Sequence, residues 1–126
     1  MKSLVLVLAG LSMGLLLLTG CYYDKADQVY LVDDGSCDTS VVRLSVELDA
    51  IMAQHCYSCH GGTADLGGGI QLQNYDYIKA YADNGILYSS ISHDGGASNM
   101  PKSAPKMSDC EITKFRVWID AGAPNN

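Results

Sequence analysis

Cys56-Tyr57-Ser58-Cys59-His60 is a C-x-x-C-H run, the pattern that in an exported chain marks covalent attachment of a c-type haem. Three residues apart on a helix, the two thiols fall on one face, where each can form a thioether to a porphyrin vinyl group. His60 follows directly and offers an imidazole nitrogen to the iron as proximal ligand. The competing readings of C-x-x-C are a thioredoxin-like redox pair and half of a zinc site. A zinc site wants a second C-x-x-C or an H-x-x-x-H pair, and the chain has neither. A thioredoxin motif follows a strand, whereas the residues ahead of Cys56 have helical spacing.

The haem reading depends on export, so the N-terminus decides its setting. Lys2 is followed by an almost wholly apolar run from Leu4 to Leu18 and then by Leu18-Thr19-Gly20-Cys21. That last tetrapeptide resembles the lipobox of bacterial lipoproteins, which implies a signal peptide over residues 1–20 with Cys21 as the acylated first residue of the mature chain. A transmembrane anchor is the alternative, but the run is short against the ~20 residues a span needs. Acyl chains contribute about 0.8 kcal/mol per buried methylene, so several on Cys21 would hold the protein to a membrane. The expected location is the bacterial cell envelope, lipid-anchored, facing the periplasm or the outer surface.

Removing twenty of the 126 residues leaves 106, the size of one domain, and losing Lys2 takes the net charge from −6 to −7. An acidic chain of this kind is not built for nucleic acid. A domain this small also gains from an extra core element such as a haem. With Cys21 assigned to lipid and Cys56 and Cys59 to haem, Cys37 and Cys110 remain of the five cysteines. Outside the cytoplasm such a pair can oxidise, which predicts a Cys37–Cys110 disulfide, with two buried free thiols as the alternative.

Residues 21–41 are acidic and without sustained periodicity, an expected tether carrying a turn at Asp33-Asp34-Gly35. The domain proper is expected over 42–126. Leu44, Leu48, Ile51 and Met52 follow helical spacing and predict a first helix from near Ser45 into the C-x-x-C-H run, with His55 an exposed or edge histidine. Gly61-Gly62 and Gly67-Gly68-Gly69 allow close backbone approach to a flat ligand, or form a plain loop. Leu66, Ile70 and Leu72 are expected to line the pocket. Asn74 predicts the cap of a helix over Tyr75 to Asn84, stopped by Gly85, and Ile86 to His93 a short helix after it. Ser108-Asp109-Cys110-Glu111 is a capping box opening a terminal helix whose inward stripe is Ile112, Phe115 and Ile119, joined by Trp118. That helix is expected to cross the first.

The far side of the iron needs a donor. Of the three mature methionines, Met52 lies in the helix ahead of the motif and reads as core, and Met107 beside the last cap reads as packing. Met100 precedes Pro101, which favours an extended strap on which a thioether can point inward. Met100 is therefore the expected distal ligand, with Met107, His93 or an open position as alternatives. A thioether favours ferrous iron and raises the potential relative to a second imidazole.

The order of parts resembles the class I cytochrome c family: a helix into Cys56-x-x-Cys59-His60, a middle helical region, Met100-Pro101 and a capped last helix. The stretch from Met107-Ser108-Asp109-Cys110-Glu111-Ile112 to Trp118-Ile119-Asp120-Ala121-Gly122-Ala123 resembles the single-haem domains of envelope lipoproteins. The resemblance runs from about Val42 to Ala123 and leaves the tether outside. It implies an all-α, cytochrome c-like fold of three to four helices around one haem c, His60 proximal and Met100 distal. It also implies one-electron transfer between redox protein partners, with attachment by an export-side maturation system. A monomer with no catalytic residues is expected. Lys102, Lys106, Lys114 and Arg116 fall close together, either a basic docking rim or a solvated face. Two other readings remain: a haem sensor or peroxidase-like enzyme with a displaceable distal ligand, and a non-haem C-x-x-C module holding a disulfide or a metal.

Overall fold

A computed structural model describes residues 36–126; the expected signal peptide, Cys21 and most of the expected tether lie outside the described residues. Among those described, every regular element is helical, so the architecture is all-α. A widened π-helical turn, Leu44–Leu48, runs into α1 (Asp49–His55), followed by α2 (Tyr57–His60), α3 (Tyr75–Asp83), α4 (Ile86–Ser92) and α5 (Asp109–Asp120). None of these helices is long and apolar enough to cross a membrane.

The brief alternation Val42, Leu44, Val46, Leu48 resolves as helix. Leu44 and Leu48 are buried one turn apart while Val46 faces out. The wide turn shows in the Leu48 N–H bond to the Arg43 carbonyl five residues back, 3.1 Å. The first N–H groups of a helix lack internal partners, and here Asn126 supplies them: Leu44 N–H donates to its side-chain oxygen and Ser45 N–H to its carbonyl, each at 2.9 Å. The tail after α5 is tied down twice more, by Tyr75 Oη donating to the Ala123 carbonyl and Trp118 Nε1 to the Pro124 carbonyl.

The two expected caps are present. Asn74 accepts from Asp76 N–H at 2.9 Å, and Gly85 lies beyond α3 at a φ of 79°. Ser108 and Glu111 form the reciprocal capping box at the head of α5. The first and last helical segments meet through Leu44–Leu48 and α5, and α4 packs on both α3 and α5. One stripe position differs from expectation: Trp118 is fully buried with Ile112 and Phe115, while Ile119 is only half-buried against the core. A stripe of Ile112, Phe115 and Trp118 drifts around the helix, and the larger indole takes the centre.

Cys37 and Cys110 form a disulfide, with Cα atoms 5.4 Å apart at a sequence separation of 73. It joins the segment ahead of α1 to the first turn of α5, and the compact unit runs from Cys37 to Asn126. Closing so long a loop stabilises the folded chain by roughly 4 kcal/mol in the chain-entropy account.

Candidate functional site

Cys56 sits between α1 and α2, where its N–H closes the last turn of α1 on the Met52 carbonyl at 2.8 Å. Its own carbonyl then accepts from both Cys59 N–H and His60 N–H, at 3.1 and 2.8 Å, which winds the motif into one tight turn. Tyr57 Oη donates to Asp49 Oδ1 at 2.6 Å and ties α2 back onto α1. Both cysteines of the motif carry free sulfurs, Cys56 half-buried and Cys59 exposed.

His60 is fixed through its ring. Nδ1 lies 3.0 Å from the Ile70 carbonyl, which can only accept, so Nδ1 carries the proton and Nε2 keeps its lone pair. A backbone carbonyl on the far nitrogen is the usual way a protein orients a ligating histidine and raises its basicity. The loop bringing Ile70 back is held by Leu72 N–H on the His60 carbonyl, 3.0 Å, and lies directly against the ring at Gly67. A Cβ at Gly67 would overlap His60 Nδ1 and stand 2.6 Å from the Cys59 carbonyl, so only glycine fits against the imidazole.

Cys56, Cys59, His60 and Met100 all line one cavity of about 640 Å³. Its apolar wall includes Met52, Leu72, Leu87, Ile91, Met107 and Phe115, each of them buried. Leu66, expected as pocket lining, reaches the cavity but is 81% exposed, and Ile86 is also exposed there. Both residues belong to the rim: Leu66 stands on the glycine-rich loop with no element packed over it, and Ile86 opens α4 at the cavity mouth. Met52 and Met107 are 2% and 4% exposed, as packing residues should be; Met100 is half-buried. His93 is not among the residues that line the cavity. Its Nε2 lies 2.9 Å from the Met100 carbonyl instead.

His55 is more than an edge residue. It is half-buried, lines the cavity, and its Nε2 is 3.0 Å from Glu111 Oε1. Glu111 Oε2 accepts from Ser108 N–H and Oγ, so one carboxylate caps α5 and also ties it to α1. Burial pushes the Glu111 carboxyl up, but the Ser108 and His55 hydrogen bonds outweigh it and hold the group below its ordinary 4.5. A carboxyl lowered by folding contributes stability that is complete above its unfolded value and lost as pH falls through the folded one. Thermal midpoints should therefore drop on acidification below about pH 4.5, and Glu111→Gln should flatten that acid limb relative to the unaltered protein.

Burial, with the Glu111 carboxylate next, pushes the Cys56 thiol up to about 11. Redox-active dithiols work by the opposite shift, a thiol lowered toward neutrality. Among the described residues no three His, Cys, Asp or Glu side chains come together to hold a metal ion. Two of the four clustered cations are in ion pairs: Lys106 with Asp109 at 3.8 Å, and Arg116 with Asp120 at 3.0 Å, the latter also lying over the Tyr88 ring. Lys102 is at the cavity. Comparison with protein-family models, with characterised proteins and with solved structures returns no match.

Proposed function

We propose that the protein is a single-haem c-type cytochrome of the cytochrome c-like fold, passing one electron at a time between redox proteins of the cell envelope. The observation that carries this reading is the convergence of Cys56, Cys59, His60 and Met100 on one apolar cavity. The residues present fit the group. The cavity's volume lies within the ~300–1,000 Å³ of small-molecule sites, its wall is apolar, and His60 offers an oriented Nε2. A bound haem would supply a one-electron iron couple.

The chain's own contribution is ligation and insulation. The Cys56 and Cys59 sulfurs would hold the porphyrin edge covalently, and His60, steadied by the Ile70 carbonyl, would serve as the proximal ligand. Met100 would supply the soft distal donor, which together with the buried wall disfavours the extra positive charge of the ferric state and raises the potential. Exposure of Cys59 leaves that edge of the site open to a partner. The lipobox at Cys21 would keep the domain at a membrane surface.

The test is the optical spectrum of the mature protein in both redox states, with its intact mass, after production alongside a haem-attachment system. The expected result is a sharp ferrous c-type spectrum, a ferric methionine-to-iron charge-transfer band, and a mass increased by one haem. A colourless protein with both thiols unmodified refutes the proposal. Fast carbon monoxide binding without denaturant, and no charge-transfer band, would point to a displaceable distal ligand and hence to a sensor or peroxidase.

A further inference from the structure

Residues 94–107 form a strap without regular structure, mostly exposed, yet Met100 within it is half-buried at the cavity. Its backbone is held on both sides. Met100 N–H donates to the Ser90 carbonyl at 3.0 Å, satisfying one of the last carbonyls of α4 that has no partner within the helix. The Met100 carbonyl lies 2.9 Å from His93 Nε2 and can only accept, so that nitrogen carries the ring proton.

His93 suits this position by its own geometry. It caps α4 in the left-handed region, φ 61° and ψ 37°, with its N–H on the Ser89 carbonyl. Histidine tolerates that conformation better than most side chains, and its ring reaches across the turn to a residue seven positions on. The start of the strap is braced nearby, where Ser89 Oγ donates to Asp94 Oδ1 and that same oxygen accepts from Gly96 N–H at 2.9 Å.

We propose that His93 is a positioning residue for Met100: its Nε2–H clamps the Met100 carbonyl and keeps the thioether on the cavity. The inference rests on the haem reading for the purpose of the clamp, though not for its existence. The ring donates to a backbone acceptor, and on the haem reading the Met100 thioether, not this imidazole, would be the ligand.

Three variants separate the donor from the backbone shape. His93→Ala removes the donor, and His93→Gln carries a similar backbone cost but restores an N–H at comparable reach. His93→Gly removes the donor and the left-handed strain together. Two readouts are taken on the mature, haem-attached protein: hydrogen exchange of the Met100 amide, and the ferric charge-transfer band with the carbon monoxide binding rate. His93→Ala and His93→Gly should each speed exchange and carbon monoxide binding about fivefold to tenfold, the equivalent of one net hydrogen bond, and weaken the band. His93→Gln should stay near the parent. Alanine and glutamine behaving alike overturns the clamp, as does glycine matching the parent. If the parent carries no haem the functional reading falls, and Met100 exchange in the haem-free parent and variants decides whether the clamp exists.

Discussion

Gly67→Ala should misalign the His60 imidazole and cost about 1–3 kcal/mol of stability, the usual range for an overpacked contact. The new Cβ would overlap His60 Nδ1, stand 2.9 Å from Cε1 of the same ring and meet the Cys59 carbonyl at 2.6 Å. Neither neighbour can yield cheaply, since one is a ring held by the Ile70 carbonyl and the other is backbone in the tight turn of the motif. Either the Nδ1–Ile70 bond breaks or the loop lifts from the ring, and both remove the oriented Nε2. Gly68→Ala is the control. At φ 64° with open space around it, it should cost roughly 1–2 kcal/mol through backbone strain alone and leave the imidazole in place. Denaturant unfolding reads the first quantity; in the haem-attached protein that we propose, the reduction potential and the His60 signals in paramagnetic NMR would read the second. If Gly67→Ala and Gly68→Ala leave potential and histidine signals alike, Gly67 has no special relation to His60.

The features legible in the sequence are those whose chemistry is local. The capping box needs only Ser108 and Glu111 three residues apart, and the Asn74 cap only a side chain beside its own helix, so spacing suffices for both. The Cys37–Cys110 bridge is long-range but was reachable by elimination, since the other cysteines had competing assignments. What spacing leaves hidden are contacts made by tertiary packing. The free oxygen of a capping Glu111 gives no sign that His55, more than fifty residues earlier, will reach it. His93 reads as a spare ligand candidate until its ring is seen on the Met100 carbonyl. Leu66 is apolar by composition, but only the fold shows that nothing covers it. The nearest sequence signal for Gly67 was the glycine cluster itself, which allows close approach without naming what is approached.

Trp118→Ala should be the most damaging single change in the core, at about 3–5 kcal/mol. Trp118 is fully buried, the largest of the side chains that are, and shares its cluster with Leu44 and Leu48 from the first helical turn and with Phe115 and Met107, which line the cavity. Removing the indole therefore opens a void between α5 and the Leu44–Leu48 turn that leads into α1, and strips the Pro124 carbonyl of its Nε1–H donor at 2.9 Å. Trp118→Phe separates these effects. It keeps most of the apolar volume and loses the donor, so it should cost far less, with about 1 kcal/mol for the bond plus a small packing deficit. For a unit of this size each kcal/mol moves the thermal midpoint by about 4–8 °C, so the two variants are easily resolved by calorimetry or denaturant titration. Because Phe115 and Met107 belong to the same cluster, Trp118→Ala should also loosen the cavity wall, which in the proposed haem-attached protein would be seen as faster carbon monoxide binding, whereas Trp118→Phe should not. Equal losses from the two variants would mean that the hydrogen bond, rather than the buried ring, is what holds α5 in place, and the packing account of how the cavity is kept closed would fail with it.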